Sequence, residues 1–388
     1  MLFRSQYVKA NGGGTATGRE GFRDVDATAA VSNQTGYQAG SPYYGRDLNG
    51  DGDLLDQVRV LAPSQTQTRR FGVIASLRYD INDSHSVRIA YSFDRARHRQ
   101  TGETGFLKPN GEPFDVFPVN APLKDVNGNV LQKRDRLSYA ILNQFAGEYR
   151  GEFLDEALTV NLGLRAPFFK RDLNNFCFTS SVAGFVECYG TNAAGAAAYR
   201  AANPTIQGPQ QRVLNYNKLL PNVGLTYDIA EQASVFGNYS KGLQVPGTDN
   251  LYNSFFFAPN TSQAQPSPET TDNFDMGVRY RSNSLIAQLS VWYTKYSNRL
   301  AGAYDPELDR TVYRNLGKVD KYGIDGSISY KVIPELQFYV FGSYLKSKIK
   351  DDLLTGETAA GVPIFAPTAG KRESGSPTYT FGGRVQGS

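Results

Sequence analysis

Strand-length segments that alternate apolar and polar side chains recur down nearly the whole chain, and the gaps between them alternate short and long. Between Phe71 and Asp80, Phe71, Val73, Ala75, Leu77 and Tyr79 share one face, while Gly72, Ser76, Arg78 and Asp80 share the other. The turn at 81–84 follows, and then Val87, Ile89, Tyr91 and Phe93 alternate with Ser86, Arg88, Ala90, Ser92 and Asp94. Successive side chains on a strand point to opposite faces, so each segment has one oily and one wet surface. A sheet with short turns at one edge and long loops at the other is the sequence signature of an outer-membrane β-barrel.

Period two and turn chemistry place strands at Phe71–Asp80, His85–Arg97, Arg136–Phe153, Ala157–Lys170, Tyr216–Ile229, Ala233–Gly242, Thr271–Arg281, Ser284–Arg299, Lys318–Val332, Glu335–Lys348 and Pro377–Gln386. A weaker strand lies within Leu2–Ala10. The tight turns at 80–84, 154–156, 229–232, 282–283 and 333–334 are expected on the periplasmic side. The long connections, at about 10–70, 98–135, 171–215, 243–270, 300–317 and 349–376, are expected outside the cell. The competing fold is a soluble β-sandwich or propeller. Its strands usually run about five or six residues. Many here reach ten or more, close to the roughly nine to eleven that cross a bilayer at a tilt.

Composition narrows the class further. Mean hydropathy is −0.43 and 20% of residues are charged. With no apolar run of about 18 residues, that excludes a helical membrane protein. Only alternate residues of a barrel strand meet lipid, so a barrel escapes this test. Tyr 24 and Phe 23 against Trp 1 fit aromatic girdles at the two interfaces. A net charge of +4 without a basic stripe gives no support to nucleic acid as a partner. One all-β, antiparallel transmembrane barrel domain over 1–388 is therefore expected. The N-terminus has no basic leader with an apolar core and cleavage site, and Arg384–Ser388 lacks the terminal aromatic common in bacterial barrels. The chain therefore reads as a fragment with about 12 strands.

Several motifs resemble one family. Pro268–Tyr280 (PETTDNFDMGVRY) is similar to a strand opening found in TonB-dependent outer-membrane receptors. Asn315–Gly317 followed by Tyr322–Gly326 resembles the next hairpin of that family, with Asp325 where Glu is usual. Lys241–Gly247 (KGLQVPG) and Pro377–Thr380 resemble two further stretches, so the likeness is dense from Leu219 to Gln386; upstream only the architecture supports it. The resemblance implies a barrel of 22 strands around an N-terminal plug, and active import coupled to the TonB complex through a plug and TonB box that lie outside this sequence. It implies a receptor for a scarce nutrient, without catalysis. Ferric siderophore, saccharide, cobalamin and peptide stay open as cargo. A passive porin or a structural surface barrel are the rival readings.

Within that frame the loop aromatics Tyr43, Tyr44, Tyr252, Phe255, Phe256, Phe257 and Tyr304 are expected to contact ligand, or in the case of 255–257 to pack loop on loop. Asp47, Asn49, Asp51, Asp53 and Asp56 alternate oxygen ligands around Gly52, like the first half of a calcium loop. Val58 stands where the closing Glu belongs, and a solvated acidic turn is the alternative. Cys177 and Cys188, eleven apart in one loop, are expected to form a disulfide in an oxidising compartment, with two free thiols as the alternative. Arg95, Arg97 and Arg99 continue the outward parity of Tyr91 and Phe93. At the outer rim they would meet lipopolysaccharide phosphates or simply water.

Overall fold

The computed structural model describes residues 1–23, 34–38, 40–182, 184–305, 310–357 and 363–387, with backbone alone at 302–305, 310–314, 354–357 and 363–364. Its frame is one antiparallel sheet of 13 strands. Twelve follow one another in chain order: β1 (Leu2–Gly12), β2 (Ser64–Asn82), β3 (His85–Glu103), β4 (Gln132–Phe153), β5 (Leu158–Asn175), β6 (Leu220–Ala230), β7 (Ala233–Gln244), β8 (Glu269–Arg281), β9 (Leu285–Ser297), β10 (Val319–Ile333), β11 (Leu336–Ile349) and β12 (Tyr379–Gly387). The thirteenth, Gln210–Asn217, pairs with the upper half of β5, directly before β6 takes over its lower half. The expected strand at 216–229 is thus longer and broken at Lys218 and Leu219. β1 and β12 are not paired with each other, so the sheet is open.

All twelve expected strands occur, and β2 to β5 reach 18–22 residues. These strands rise well past the roughly nine to eleven residues needed to cross the hydrocarbon. Tight turns and long connections alternate between successive strands, so all the tight turns fall at one edge and the long connections at the other. At the turn 154–156 three non-glycine residues hold positive φ, at 57°, 55° and 70°.

Register exposes the tilt of the sheet. One hydrogen-bonded row runs Tyr79, Val87, Tyr149, Leu162, Val223, Tyr239, Phe274, Tyr293, Tyr322. It begins three residues from the end of β2 beside its short turn and finishes three residues from the long-loop end of β10. Aromatic rings occupy both ends of that row and aliphatic side chains its middle. This order arises when tilted, staggered strands cross an apolar slab with an aromatic girdle at each face.

The buried core lies in the long connections. Tyr44, Val60, Leu123 and Leu131 form one cluster, with Ala16 and Leu48 against it. Tyr37, Cys177, Val186 and Cys188 form a second, and Phe178, Tyr189 and Tyr199 a third. A small sheet of Thr15–Arg19, Gly36–Gln38, Ser41–Tyr43 and Gln57–Leu61 supports this layer. The membrane-spanning strands bury little, because one face is left to lipid and the other to the lumen.

Candidate functional site

The lumen face carries the residues of even parity on β2 and β3. Arg70, Asp94, Thr68 and His98 project there, beside Ser138 of β4 and Phe169 and Arg171 of β5. Together with Gln6, Val8, Ala140, Leu142 and Thr248 they line a cavity of about 480 Å³ just below the loop layer. Arg70 grips Asp94 through Nε at 2.9 and 2.7 Å, and the Thr68 hydroxyl lies 2.6 Å from His98 Nδ1. Arg171 donates to Thr248 at 3.0 Å. Hydrogen-bond donors therefore outnumber acceptors on this wall, which suits an anionic, oxygen-rich ligand. Lower on the same face, Arg78, Arg88, Arg150 and Arg165 with Glu148 line a second cavity of about 560 Å³.

The helix Thr248–Asn253 and the turn Ser254–Phe256 fold back onto this wall. Arg136, fully buried in β4, donates to Asp249 at 3.0 Å and lies 4.4 Å from the Tyr252 ring centre. Arg212 binds the carbonyls of Ser254 and Phe257 at 2.8 and 2.7 Å and stacks 4.5 Å from Phe255. Tyr252 and Phe255 join Leu173, Tyr216 and Leu251 in a closed cluster, and burial pushes the Tyr252 phenol up to about 12. Their rings anchor the loop and offer no ligand surface. Phe256 is exposed and meets Phe257 edge to face at 5.3 Å. Tyr44 is likewise 0% exposed, its hydroxyl 2.6 Å from that of Thr104, whereas Tyr43 is half-buried beneath Arg19. The side chain of Tyr304, in the strand Leu300–Asp305, lies outside the described residues.

Cys177 and Cys188 are joined in a buried disulfide, and Tyr37 and Cys188 exchange backbone hydrogen bonds at 3.0 Å on either side. That backbone pair ties the first long connection to the one after β5, which the disulfide closes on itself. In the acidic loop, Asp47 accepts from the backbone of Gly50 and Gly52, and the Asn49 amide donates to Asp51 and Asp56. Asn49 lowers the Asp51 carboxyl below its ordinary range, while contact with Asp51 raises that of Asp56. Arg95 lies 5.1 Å over the Tyr139 ring on the outer face. Arg97 pairs across the sheet with Arg69, and Arg99 is held by Asp135 and the Arg136 carbonyl.

Sequence reasoning missed Arg70, Arg171, Arg136 and Arg212. The parity of β2 and β5 assigns the first two to the lumen; nothing local marks the last two as loop anchors.

The profile of the family described as "TonB dependent receptor-like, beta-barrel" matches residues 4–385. The chain is 22% identical over 291 residues to the ferric aerobactin receptor of Klebsiella pneumoniae, covering 72% of this chain and 36% of that protein. The rhizobactin receptor of Rhizobium meliloti (strain 1021) is 21% identical over 206 residues, 50% of this chain and 26% of the relative. The chain thus spans about a quarter to a third of the length of these relatives. Among solved structures, the siderophore receptor PiuA from Acinetobacter baumannii superposes with a TM-score of 0.54 at 14% identity, over 85% of this chain and 44% of that one. The ferric yersiniabactin uptake receptor FyuA from Yersinia pestis gives 0.53 at 13% identity, over 85% and 43%. The chain belongs to the TonB-dependent receptor-like β-barrel family, whose place is the outer membrane of Gram-negative bacteria.

Proposed function

We propose that this chain supplies barrel wall and extracellular loops to a TonB-coupled receptor that imports a ferric chelate. The carrying observation is the donor-rich cavity formed by Thr68, His98, Ser138 and Arg171, set on the lumen face directly below the loop layer. Ferric siderophores present anionic oxygens, which guanidinium and imidazole donors hold through charge-assisted hydrogen bonds. The names of the ferric aerobactin and rhizobactin receptors support the same cargo class. Phe256, exposed on the connection after β7 with Phe257 against it, would offer ligand an aromatic surface. In a host lacking other iron-chelate receptors, the full receptor should support uptake of radiolabelled ferric aerobactin or rhizobactin, and deleting TonB should stop it. His98→Ala or Arg171→Ala should weaken chelate binding about tenfold, or 1.4 kcal/mol, at unchanged surface level. Uptake that persists without TonB favours a passive channel, and absence of ferric-chelate binding overturns the reading.

The lipid-facing rim supports a second partner, lipopolysaccharide phosphate. Arg69, Arg95 and Arg97 lie on the outward parity above Phe71, Tyr91 and Phe93. Guanidinium forks suit phosphate geometry. Arg99 contributes less, being engaged by Asp135. The Arg95→Ala/Arg97→Ala double variant should retain less lipopolysaccharide through purification; equal retention would make the rim a solvated surface.

A further inference from the structure

The loop between Ser41–Tyr43 and Gln57–Leu61 comes to rest on a carboxylate from a distant part of the chain. Glu20, directly after the strand Thr15–Arg19, is 0% exposed. Its Oε1 accepts from the backbone N–H of Leu48 at 2.6 Å and Asn49 at 3.0 Å. Its Oε2 is buried and has no hydrogen-bond partner among the described residues. That orphan carboxylate belongs to a group with Asp51, Asp53 and Asp56, whose closest ligand oxygens all lie within 4.8 Å of one another. Leaving a buried carboxylate unpaired beside three others costs several kcal/mol unless a cation or proton neutralises it.

We infer that Glu20, Asp51, Asp53 and Asp56, with Asn49, form a calcium site that locks this loop to the neighbouring strand. The donors are all oxygen, and several are carboxylates, as a hard cation of high coordination number requires. The order Asp47, Asn49, Asp51, Gly52, Asp53 follows positions one, three, five, six and seven of a calcium loop. Gly50 and Gly52, at φ 84° and 98°, make the turn, and Asp47 caps it from inside. Where such a loop draws its closing carboxylate from position twelve, here Val58, the fold delivers Glu20 from another strand. The backbone already supports that placement, with Glu20 N–H on the Asp56 carbonyl at 3.2 Å and Arg46 N–H on the Glu20 carbonyl at 2.8 Å.

A cation there would fix more than one loop. Leu48 packs against the cluster of Tyr44, Val60, Leu123 and Leu131, and Val126 N–H binds the Tyr44 carbonyl. The first long connection is in this way tied to the one between β3 and β4. Calcium outside the cell would stiffen the layer over the barrel mouth, independently of which cargo enters.

The test is calorimetric titration of calcium chloride into the full chain, folded in detergent micelles and stripped with a chelator. A saturable event with a dissociation constant on the order of 10⁻⁴–10⁻³ M is expected, the range of extracellular calcium modules. Glu20→Gln and Asp51→Asn should each weaken it about tenfold or more, because each removes a ligand charge. Asp51 is exposed, so its variant reads the site even if the buried Glu20→Gln chain misfolds. Trypsin cleavage after exposed Arg46 should slow with calcium in the parent and not in Asp51→Asn. Absence of heat at millimolar calcium, or equal heat in Asp51→Asn, would overturn the site.

Discussion

Arg299→Ala should destabilise the folded barrel by about 3–5 kcal/mol, the scale for stripping the partner from buried charges. Arg299 follows β9 at the long-loop rim and joins two nearly buried carboxylates. Its Nη1 lies 3.0 Å from Glu269, at the start of β8, and its Nε 2.9 Å from Glu373 in the last long connection. Glu269 also accepts the backbone N–H of Leu300 at 3.0 Å. Lys321 of β10 meets Glu373 at 2.7 Å, so Glu373 retains one cation when Arg299 is lost, whereas Glu269 retains none among the described residues. A graded result follows: Lys321→Met should cost less than Arg299→Ala, and adding Glu269→Gln to Arg299→Ala should recover part of the loss. Equilibrium unfolding from vesicles, read by the fluorescence of Trp292, the chain's one tryptophan, measures all three. If Arg299→Ala falls within about 0.5 kcal/mol of the parent, as ordinary surface changes do, the network is a solvated rim.

Glu269 also shows what a motif can and cannot reveal. It opens the PETTDNFDMGVRY stretch, where sequence likeness marks it without giving a reason. The structure supplies one, since Glu269 closes the rim between β8 and β9 through a cation that follows β9. Such a partner, 30 residues away, leaves no local trace.

The lipid face was legible in most strands because period two imposes it one strand at a time. Tyr322, Ile324, Ile328 and Tyr330 all fall on the outward register that their pairing with β9 and β11 establishes. Strand ends were less legible. Gln65, Thr66, Gln67 and Thr68 are polar on both faces, so the alternation fades, yet the ladder to Thr101 through His98 continues unbroken. Hydrogen bonding needs no apolar side chain, and above the membrane nothing demands one. Loop aromatics were least legible. Tyr44, Tyr252 and Phe255 have the composition of a binding surface, but Thr104, Arg136 and Arg212 draw them inward. Burial there depends on partners from other connections, which spacing does not encode. The same holds for Glu20, an isolated acid until the fold sets it against the loop of Asp51.

Leu289→Arg should destabilise by about 2–4 kcal/mol, the cost of a cation on the lipid face near the bilayer midplane. Leu289 pairs with Val278 and Gly326 on the outward register and is 51% exposed in the chain alone. On β9 it sits about midway between Tyr280 and Tyr330 toward the short turns and Tyr293 and Tyr322 toward the long loops. Those rings mark the interfaces, so Leu289 lies where hydrocarbon is deepest and an arginine has farthest to reach for water. Its neighbour Gln288 pairs with Arg279 and Ser327 on the lumen register. Gln288→Arg should therefore be nearly silent, and Tyr293→Arg, at the interface, should lose only its ring packing plus about 0–1 kcal/mol for charge. Reversible unfolding from phospholipid vesicles can rank the three. An equal loss at Leu289 and Gln288 would contradict the face assignment of β9, and with it the outward register of β8 and β10 that is built on it. A large loss at Gln288 alone would turn the sheet inside out.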